Sequence, residues 1–427
     1  MPRLLLLLPA LTYRAEAFLK AAQKINVNLT VGSEDPVHPF GPAFSNWLRL
    51  DFSNLEATTA VAVEFAKTNP IDAVVGVNDN TTVFAAMISE ALNLPHNSVS
   101  SVLAARNKHR MRQILKSHGL PTPQFSVCAI DENPEVVLPR LNFPCVVKPL
   151  TLSASCGVIR VDDPQGFREA FARVRTLLKK LGLQDREEAG RQILIEDFLP
   201  GVEVAVEGLL TNGAFRVLAI FDKPDPLDGP FFEETIYVTP SRFPPETQNQ
   251  IGETLAQAAL ALGLREGPIH GELRINQKGI WVIEVAARSI GGRCSQTLRF
   301  STGLSLEELI LRHALRMNLS TLEREAKPAG VMMLPIRQGG ILERVEGQEK
   351  AFKVAGIEEL TITAQPGDLL VPLPEGTRYL GFLVARGESP EEVELALREA
   401  HRHLHVVVSP ASPERQSSTP RFGVIQV

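Results

Sequence analysis

The sequence is poor in cysteine and has no long apolar run. Its four cysteines, Cys128, Cys145, Cys156 and Cys294, show neither CxxC spacing nor histidines at metal-binding spacing. They indicate reduced thiols and a cytoplasmic location rather than a disulfide framework. No segment approaches the ~18 uninterrupted apolar residues that a membrane-spanning helix needs, so we expect no membrane partner. The Leu4–Leu8 run is short and precedes proline and charged residues, which favours a buried parallel strand over a signal peptide.

Charge and motif content exclude further classes of protein. The net charge is −5 at pH 7 and no basic patch is interleaved with aromatic residues, so nothing favours nucleic-acid binding. The first hundred residues contain no GxGxxG motif, so a dinucleotide is not indicated. Hydrophobic content of 44% and charged content of 22% are ordinary for globular proteins, and 427 residues predict two or three domains.

The first hundred residues alternate strand and helix patterns. Predicted strands and helices there are Leu4–Leu8, Arg14–Lys24, Val27–Gly32, Asn54–Thr68, Ala73–Val77 and Thr81–Leu92. This alternation predicts a parallel sheet with helices on both faces. Ligands bind beyond the carboxyl ends of such strands, so Asn78 and Asp79 are candidate ligand-facing residues. The alternative, which we favour, is that they cap the helix that follows.

A strand-end lysine and a loop of small residues come next. The sequence NKHRMRQILKSHGL predicts a basic helix that ends at Gly119. Lys148 ends the apolar strand PCVVKP, where it could reach a phosphate. The small side chains of the following loop, Leu150–Gly157, would let backbone N–H groups approach an anion. Further on, Glu203 and Glu207 share one face of an alternating strand.

The remaining pattern predicts mixed elements and a smaller C-terminal α+β unit. We expect a mobile excursion at Gly182–Arg191, an irregular segment at Ala219–Phe232 and a loosely held tail at Pro410–Arg421. Further predicted strands are Phe125–Ile130, Cys145–Lys148, Val158–Val161, Ile193–Glu196, Val202–Leu210, Val331–Pro335, Leu360–Thr363, Tyr379–Ala385 and Leu404–Val408. Further predicted helices are Gly166–Leu181, Phe243–Leu262, Ser305–Leu315 and Pro390–His403.

The most informative stretch is Gly267–Arg293, GPIHGELRINQKGIWVIEVAARSIGGR. It predicts two apolar strands, Ile269–Ile275 and Ile280–Ala286, joined by a turn. Each strand carries one carboxylate in an otherwise apolar setting, Glu272 and Glu284. The spacing therefore predicts a hairpin with one acid on each strand.

The register of this hairpin decides whether the two acids meet. Pairing Asn276 with Ile280, or Ile275 with Trp281, would place them directly opposite each other. A two-residue loop would instead put them on opposite faces of the hairpin. The sequence pattern leaves both registers open.

Facing carboxylates have two interpretations. They repel each other unless a cation lies between them, and Mg²⁺ with the following Arg288 and Arg293 would suit phosphate chemistry. Alternatively, the acids form structural ion pairs with Arg274 and Arg288, which is about as frequent an outcome for such a hairpin.

Taken in order, these features resemble the ATP-grasp superfamily of carboxylate–amine ligases. The resemblance covers residues 1 to about 320 and rests on the helix lysine before GLPTP, PCVVKP with its loop, ILIEDFLPGVEVAVE and the E…E…R hairpin. It implies an α/β fold with an N-terminal doubly wound parallel-sheet domain in residues 1–105. A two-lobed α+β ATP-grasp domain in residues 106–320 and a small α+β lid domain in residues 321–427 would follow.

The resemblance also implies roles for individual residues. Implied ATP contacts are Lys108 and Lys148 to the phosphates, Ser153, Ser155 and Gly157 in a closing loop, Glu196, Phe198 and Leu199 at the adenine hinge, and Glu203 to the ribose. Glu272 and Glu284 resemble the Mg²⁺ ligands, with Mn²⁺ as a substitute. Arg288 and Arg293, together with Lys148, resemble the catalytic cations.

Three positions depart from the family pattern. Ala286 stands where a metal-binding Asn is frequent, which puts a second Mg²⁺ in doubt. The surrounding EVAAR sequence is more similar to the amino-acid ligases that make dipeptides. Asp197 stands where the hinge often has Lys, and the phosphate loop keeps only the glycine at 157.

The implied activity is ATP- and Mg²⁺-dependent joining of a carboxylate to an amine through an acyl phosphate. Small-molecule, amino-acid-like substrates are expected, and homodimers are usual in the superfamily. His270, Glu233 and Glu234 would border the acceptor pocket, with the acids on an α-ammonium and Arg293 on an α-carboxylate. The alternatives are a bicarbonate-activating or purine-pathway enzyme, and a nucleotide-binding module without catalysis.

Overall fold

The fold begins with a parallel sheet. The computed structural model describes residues 1–10, 12–34, 46–300, 303–319 and 322–411. Its first elements are β1 (Arg3–Leu7), α1 (Ala15–Lys24), β2 (Asn28–Ser33), β3 (Trp47–Arg49), α2 (Leu55–Thr68), β4 (Ala73–Gly76), α3 (Asp79–Ala91) and α4 (Val99–Arg106). The four strands are parallel in the order β3-β2-β1-β4.

Alternate leucines of β1 bury both faces of this sheet. Leu4 and Leu6 belong to a core that includes Phe18 of α1, whereas Leu5 and Leu7 belong to a core with residues of α2 and α3. Side chains along a strand point to opposite faces with period two, so a continuous leucine run fits a strand covered on both sides. The predicted doubly wound domain is confirmed.

A small antiparallel lobe follows. Its elements are α5 (Lys108–Ser117), β5 (Phe125–Ala129), β6 (Cys145–Pro149), β7 (Ile159–Val161), α6 (Pro164–Lys180), α7 (Leu183–Arg186) and β8 (Gln192–Asp197). The strand order is β5-β8-β6-β7, and α6 packs Phe167, Phe171 and Val174 against the sheet. The segment Gly182–Arg191 was expected to be an excursion, but it forms α7 and a short 3₁₀ helix.

The central sheet carries the predicted hairpin at its edge. Its next elements are β9 (Val202–Thr211), β10 (Ala214–Asp222), β11 (Ile236–Thr239), α8 (Pro245–Ala261), β12 (Gly267–Asn276), β13 (Gly279–Ala286) and α9 (Leu306–Ala314). The expectation of irregular structure from Ala219 onwards is wrong up to Asp222. Those residues pair with β9, so cross-strand burial outweighs the proline- and aspartate-rich sequence that follows.

The C-terminal part extends the same sheet. Its elements are β14 (Ala329–Leu334), β15 (Gly340–Glu346), α10 (Gln348–Phe352), β16 (Ile357–Ile362), β17 (Leu369–Leu370), β18 (Gly381–Arg386), α11 (Pro390–His403) and β19 (His405–Ser409). The eight-stranded order is β13-β12-β9-β10-β11-β14-β18-β16, so hydrogen bonding between β11 and β14 crosses the predicted boundary at residue 320. That boundary stays a prediction.

Two sequence expectations concern the end of the chain and membranes. The predicted tail, Pro410–Arg421, lies outside the described residues from 412 onwards. None of the helices in the described ranges has the length and apolar character that crossing a bilayer requires.

Candidate active site

The β12–β13 hairpin places two acids face to face. Its loop is the two-residue turn Gln277–Lys278, which alone would direct the acids to opposite faces. A β-bulge at Ile283 adds one residue to β13 and restores the alignment. Glu272 therefore lies directly opposite Glu284. Of the two arrangements that the sequence left open, the structure shows the facing one. Both turn pairings expected to produce it are wrong by one residue, and the two-residue loop expected to separate the acids does not do so, because the bulge leaves no local sequence pattern.

A cleft opens beside this hairpin. Many of the predicted site residues line it together, although they are spread along the chain between Lys108 and Arg288. These residues are Lys108, Lys148, Ser153, Ser155, Glu196, Phe198, Leu199, Glu203, Glu272, Glu284 and Arg288. The geometry thus gathers the residues that the resemblance implied, while their individual roles stay predictions.

Three residues with predicted roles, Gly157, Glu233 and Arg293, are not among those that line this cleft. Arg293 forms an ion pair with Glu359 and lies over the Phe382 ring. The Gly157 amide donates a hydrogen bond of 2.7 Å to the Pro374 carbonyl. Arg293 and Gly157 therefore contact the C-terminal part of the chain instead of lining the cleft.

A buried lysine that the sequence analysis missed neutralises the acids on one side of the cleft. The Lys223 Nζ atom lies 2.7 Å from a Glu203 oxygen and 2.9 Å from one oxygen each of Glu234 and Glu272. Oxygens of these three carboxylates lie within 4.8 Å of one another. Burial alone would lower the pKa of Lys223, but the three acids outweigh it and hold that pKa well above its usual value.

The acids around Lys223 differ in protonation. Burial and the neighbouring Glu272 raise the pKa of Glu234 to about 8. Burial also acts against ionisation of Glu272, but Lys223 and His270 outweigh it and keep its pKa well below the usual range. Near pH 7, Glu272 is therefore the charged partner and Glu234 holds the proton.

The two predicted phosphate lysines are already paired with acids. Lys108 Nζ lies 3.2 Å from a Glu284 oxygen and donates to the Leu152 carbonyl at 2.7 Å. Lys148 forms an ion pair with Glu196. These contacts neutralise the lysines in the cleft, where unpaired charge would be costly.

A second missed cation, Arg112, also binds Glu196. Its side chain is fully buried, and its Nε and Nη2 atoms lie 2.9 and 3.3 Å from the two Glu196 oxygens. Burial would raise the pKa of Glu196, but Arg112 and Lys148 lower it to about 2. The Glu196 side chain is thus held as an anion by two cations, and the predicted adenine contact at this hinge stays a prediction.

Residues of the N-terminal domain bind Arg288 and Ser289, which begin the loop after the hairpin. Arg288 Nε donates to an Asp79 oxygen at 2.9 Å, and this pair raises the pKa of Arg288 although burial opposes ionisation. Arg14 donates to Ser289. Asn78 forms a capping box at the start of α3, so the favoured capping interpretation is confirmed for Asn78, whereas Asp79 contacts the site.

Two further buried groups support this loop and the hairpin. Glu207 Oε2 accepts a hydrogen bond of 2.8 Å from the Ile290 amide. Burial raises the pKa of Glu207 well above its usual value and lowers the pKa of His270. Burial therefore favours the neutral form of both side chains. His270 lines the cleft with its Nε2 atom 3.7 Å from a Glu272 oxygen.

Family models match most of the described chain. The model described as an ATP-grasp domain matches residues 141–297, and the ATP-grasp N-terminal domain matches residues 19–96. The L-amino acid ligase C-terminal domain 2 matches residues 332–409. The chain belongs to the ATP-grasp superfamily.

Individual relatives agree with this assignment. The crystal structure of an L-amino acid ligase from Bacillus licheniformis superposes with a TM-score of 0.84 at 29% identity, over 96% of this chain and 99% of that one. The L-arginine-specific L-amino acid ligase of Bacillus subtilis is 22% identical over 86% of this chain and 89% of the relative. Alanine–anticapsin ligase of Bacillus subtilis (strain 168) is 26% identical over 55% of this chain and only 52% of the relative. The predicted similarity to the amino-acid ligase branch is confirmed.

The donor set of this ATP-grasp cleft fits a divalent cation. Glu272 and Glu284 face each other, and each is balanced here by a lysine ammonium, Lys223 or Lys108. An ammonium group against each carboxylate shows that the position requires positive charge. Carboxylate oxygens are the ligands that Mg²⁺ prefers. The alternative of structural ion pairs holds for these acids with other partners than expected, because Arg274 pairs with Glu203 and Arg288 with Asp79.

Proposed function

We propose that this ATP-grasp protein is an ATP-dependent ligase that joins the carboxylate of one amino-acid-like molecule to the amine of another. The carboxylate would be activated as an acyl phosphate, and attack by the amine would release phosphate beside ADP. The observation that carries the proposal is the facing pair Glu272 and Glu284 in the same cleft as Lys108, Lys148 and Arg288. We also propose Mg²⁺ or Mn²⁺ dependence and a cytoplasmic location, and a homodimer as the assembly to test.

Phosphoryl transfer requires fixed positive charge because the transition state spreads negative charge over the phosphoryl oxygens. Lys108 and Lys148 would bind the nucleotide phosphates from one side of the cleft, and Arg288 would approach the transferring group from the other. Glu272 and Glu284 would hold the divalent cation, which supplies charge neutralisation at the phosphate oxygens. Asp79 would keep the Arg288 guanidinium oriented, since it is hydrogen-bonded to Nε at 2.9 Å.

The acceptor end of the cleft offers an acid for an ammonium group. Glu234 lines the cleft, and the Tyr379 hydroxyl donates to its Oε2 at 3.4 Å. We propose that the ionised Glu234 holds the α-ammonium of an amino-acid substrate. Arg293 was expected to hold the α-carboxylate, but its ion pair with Glu359 makes it a lesser candidate.

The test is ATP-dependent phosphate release against amino acids, singly and in pairs, with mass spectrometry of the products. Release that requires a particular pair, with a condensed product of matching mass, supports the proposal. Glu284→Gln should abolish release, whereas the control Glu349→Gln on the exposed surface should not. Release stimulated by bicarbonate without amino-acid dependence would favour the carboxylase-like alternative. Nucleotide binding without any turnover would favour the non-catalytic module.

A further inference from the structure

Two side chains of helix α5 contact two consecutive residues of β13, Ile283 and Glu284. Lys108 and Arg112 are one helical turn apart on α5, so their side chains project from the same face. Lys108 Nζ lies 3.2 Å from a Glu284 oxygen, and Arg112 Nη2 donates to the Ile283 carbonyl at 2.9 Å. Ile283 is the bulge residue, and it has no partner of its own on β12. One face of one helix thus binds the bulge and the acid that follows it.

The bulge is what brings the two acids together. From the turn, Ile280 pairs with Ile275 and Val282 with Leu273, so a regular ladder would next place Ile283 opposite Glu272. Because side chains alternate with period two, Glu284 would then point to the opposite face. The extra residue shifts the ladder by one position. The alignment of the acids therefore depends on keeping Ile283 out of the ladder.

Arg112 supplies the donor that an excluded residue needs. Among the strands of the described ranges, β13 is the edge strand of the eight-stranded sheet, and none of them pairs with the outer side of its backbone. A carbonyl shielded from water is costly unless a donor reaches it. Arg112 reaches the Ile283 carbonyl with the same guanidinium that binds both Glu196 oxygens, and its side chain is 0% exposed. The planar guanidinium donates to Glu196 and to the Ile283 carbonyl at the same time, and a lysine ammonium on a flexible stem does not reproduce this geometry.

We propose that Arg112 is a positioning residue, which holds the Ile283 bulge and thereby keeps Glu284 opposite Glu272 in the geometry that binds a divalent cation. The proposal rests on the proposed function only in that the two acids hold the cation. Arg112 itself would contact neither the metal nor the reacting groups. Its effect should therefore appear in metal affinity before it appears in nucleotide affinity.

The test is Arg112→Lys, which keeps a positive charge beside Glu196 but loses the second arm of the guanidinium. Binding of Mn²⁺ to the protein with ADP is followed by the electron paramagnetic resonance signal of free Mn²⁺. Binding of ADP alone is measured by calorimetry in EDTA. We expect Mn²⁺ affinity to fall about 10-fold to 100-fold, as for other groups that orient metal ligands. ADP affinity in EDTA should change by less than about 3-fold, which corresponds to under ~0.7 kcal/mol.

Two variants frame the result. Arg110→Lys changes an exposed arginine of the same helix and should bind Mn²⁺ like the wild type. Glu284→Gln removes a proposed ligand and should lose Mn²⁺ affinity. If Arg112→Lys matches the wild type while Glu284→Gln is impaired, the role of Arg112 is refuted and the metal site stands. If Glu284→Gln also matches the wild type, the acids hold no metal, and both the proposed metal site and the role of Arg112 fail.

Deletion of Ile283 gives an independent check on the bulge. Without this residue, Glu284 follows Val282 directly and a regular ladder places it opposite Glu272. The Arg112→Lys change should then alter Mn²⁺ affinity by less than about 2-fold, because no bulge remains to be held. A full loss in the deletion background would show that Arg112 acts by another route and would overturn the proposal.

Discussion

Lys223 neutralises a cluster of three buried acids, and replacing it with methionine should make the stability of the folded protein depend on added cations. The Lys223 side chain is 3% exposed, and its ammonium lies 2.7 to 2.9 Å from oxygens of Glu203, Glu234 and Glu272. Removing one partner of a buried ion pair costs about 3–5 kcal/mol because the remaining charge is left uncompensated. Against a typical unfolding free energy of about 5–15 kcal/mol, that is a large loss.

The vacated space should accept a divalent cation. Oxygens of the three acids lie within 4.8 Å of one another, which suits a shared ion. A ligand present at about 100 times its Kd stabilises the folded state by about 2.7 kcal/mol, so Mn²⁺ should recover more than half of the loss. Protonation should help as well. Unpaired buried acids have raised pKa values, so the folded variant binds more protons than the unfolded chain, and its deficit should shrink as pH falls from 8 to 6.

The assay is the urea midpoint of the first unfolding transition, without nucleotide, in EDTA and in a Mn²⁺ series. Lys353→Met is the matched control, because that lysine is 71% exposed and pairs with the surface acid Glu349. Its unfolding free energy should change by no more than about 0.5 kcal/mol. A Lys223→Met protein with the wild-type midpoint in EDTA would refute the reasoning. So would a lowered midpoint that responds neither to Mn²⁺ nor to pH, since the acids would then not be its cause.

Two further predictions concern activity once substrates are identified. Asp79→Asn should lower kcat about 10-fold to 100-fold with little change in the KM for ATP, because Arg288 loses its orienting acid, and Asp79→Glu should restore part of the rate. Phosphate release as a function of pH should show kcat/KM rising through about pH 8, because Glu234 is neutral below its raised pKa of about 8 and accepts an ammonium only when ionised. Glu234→Gln should remove that rise, and a rise that persists would assign it to another group.

The parts of the site that the sequence predicted are those with a local pattern. A single carboxylate in each of two apolar strands marked Glu272 and Glu284, and a lysine at the end of an apolar strand marked Lys148. Alternating strand and helix patterns likewise predicted the N-terminal sheet. In each case neighbouring residues along the chain contain the information, because burial on one or both faces fixes which side chains are apolar.

The parts that escaped prediction depend on contacts between distant segments. Asp79 and Arg288 were each marked as candidates, but their contact joins residues 209 positions apart and was not foreseen. Arg112 is 171 residues from the Ile283 carbonyl that it binds. Lys223 directly follows β10 and lies inside Ala219–Phe232, the segment whose prolines and aspartates suggested irregular structure. The bulge at Ile283 escaped prediction for the same reason, because the group that binds it, Arg112, lies on a distant helix. The pattern of neighbouring residues does not predict an ion pair or hydrogen bond whose two partners are so far apart along the chain.

The pairing of charges in the cleft has a consequence for how ligands enter it. Lys108 is balanced by Glu284, Lys148 by Glu196, and Arg288 by Asp79. A phosphate that takes Lys108 leaves Glu284 uncompensated, and a cation that takes Glu284 leaves Lys108 uncompensated. Either ligand alone thus leaves Glu284 or Lys108 without a partner in a largely buried cleft. The two ligands together replace both partners, so the charges in the cleft stay balanced. The nucleotide and the metal should therefore bind as a unit, which is a property of these pairings rather than of either ligand.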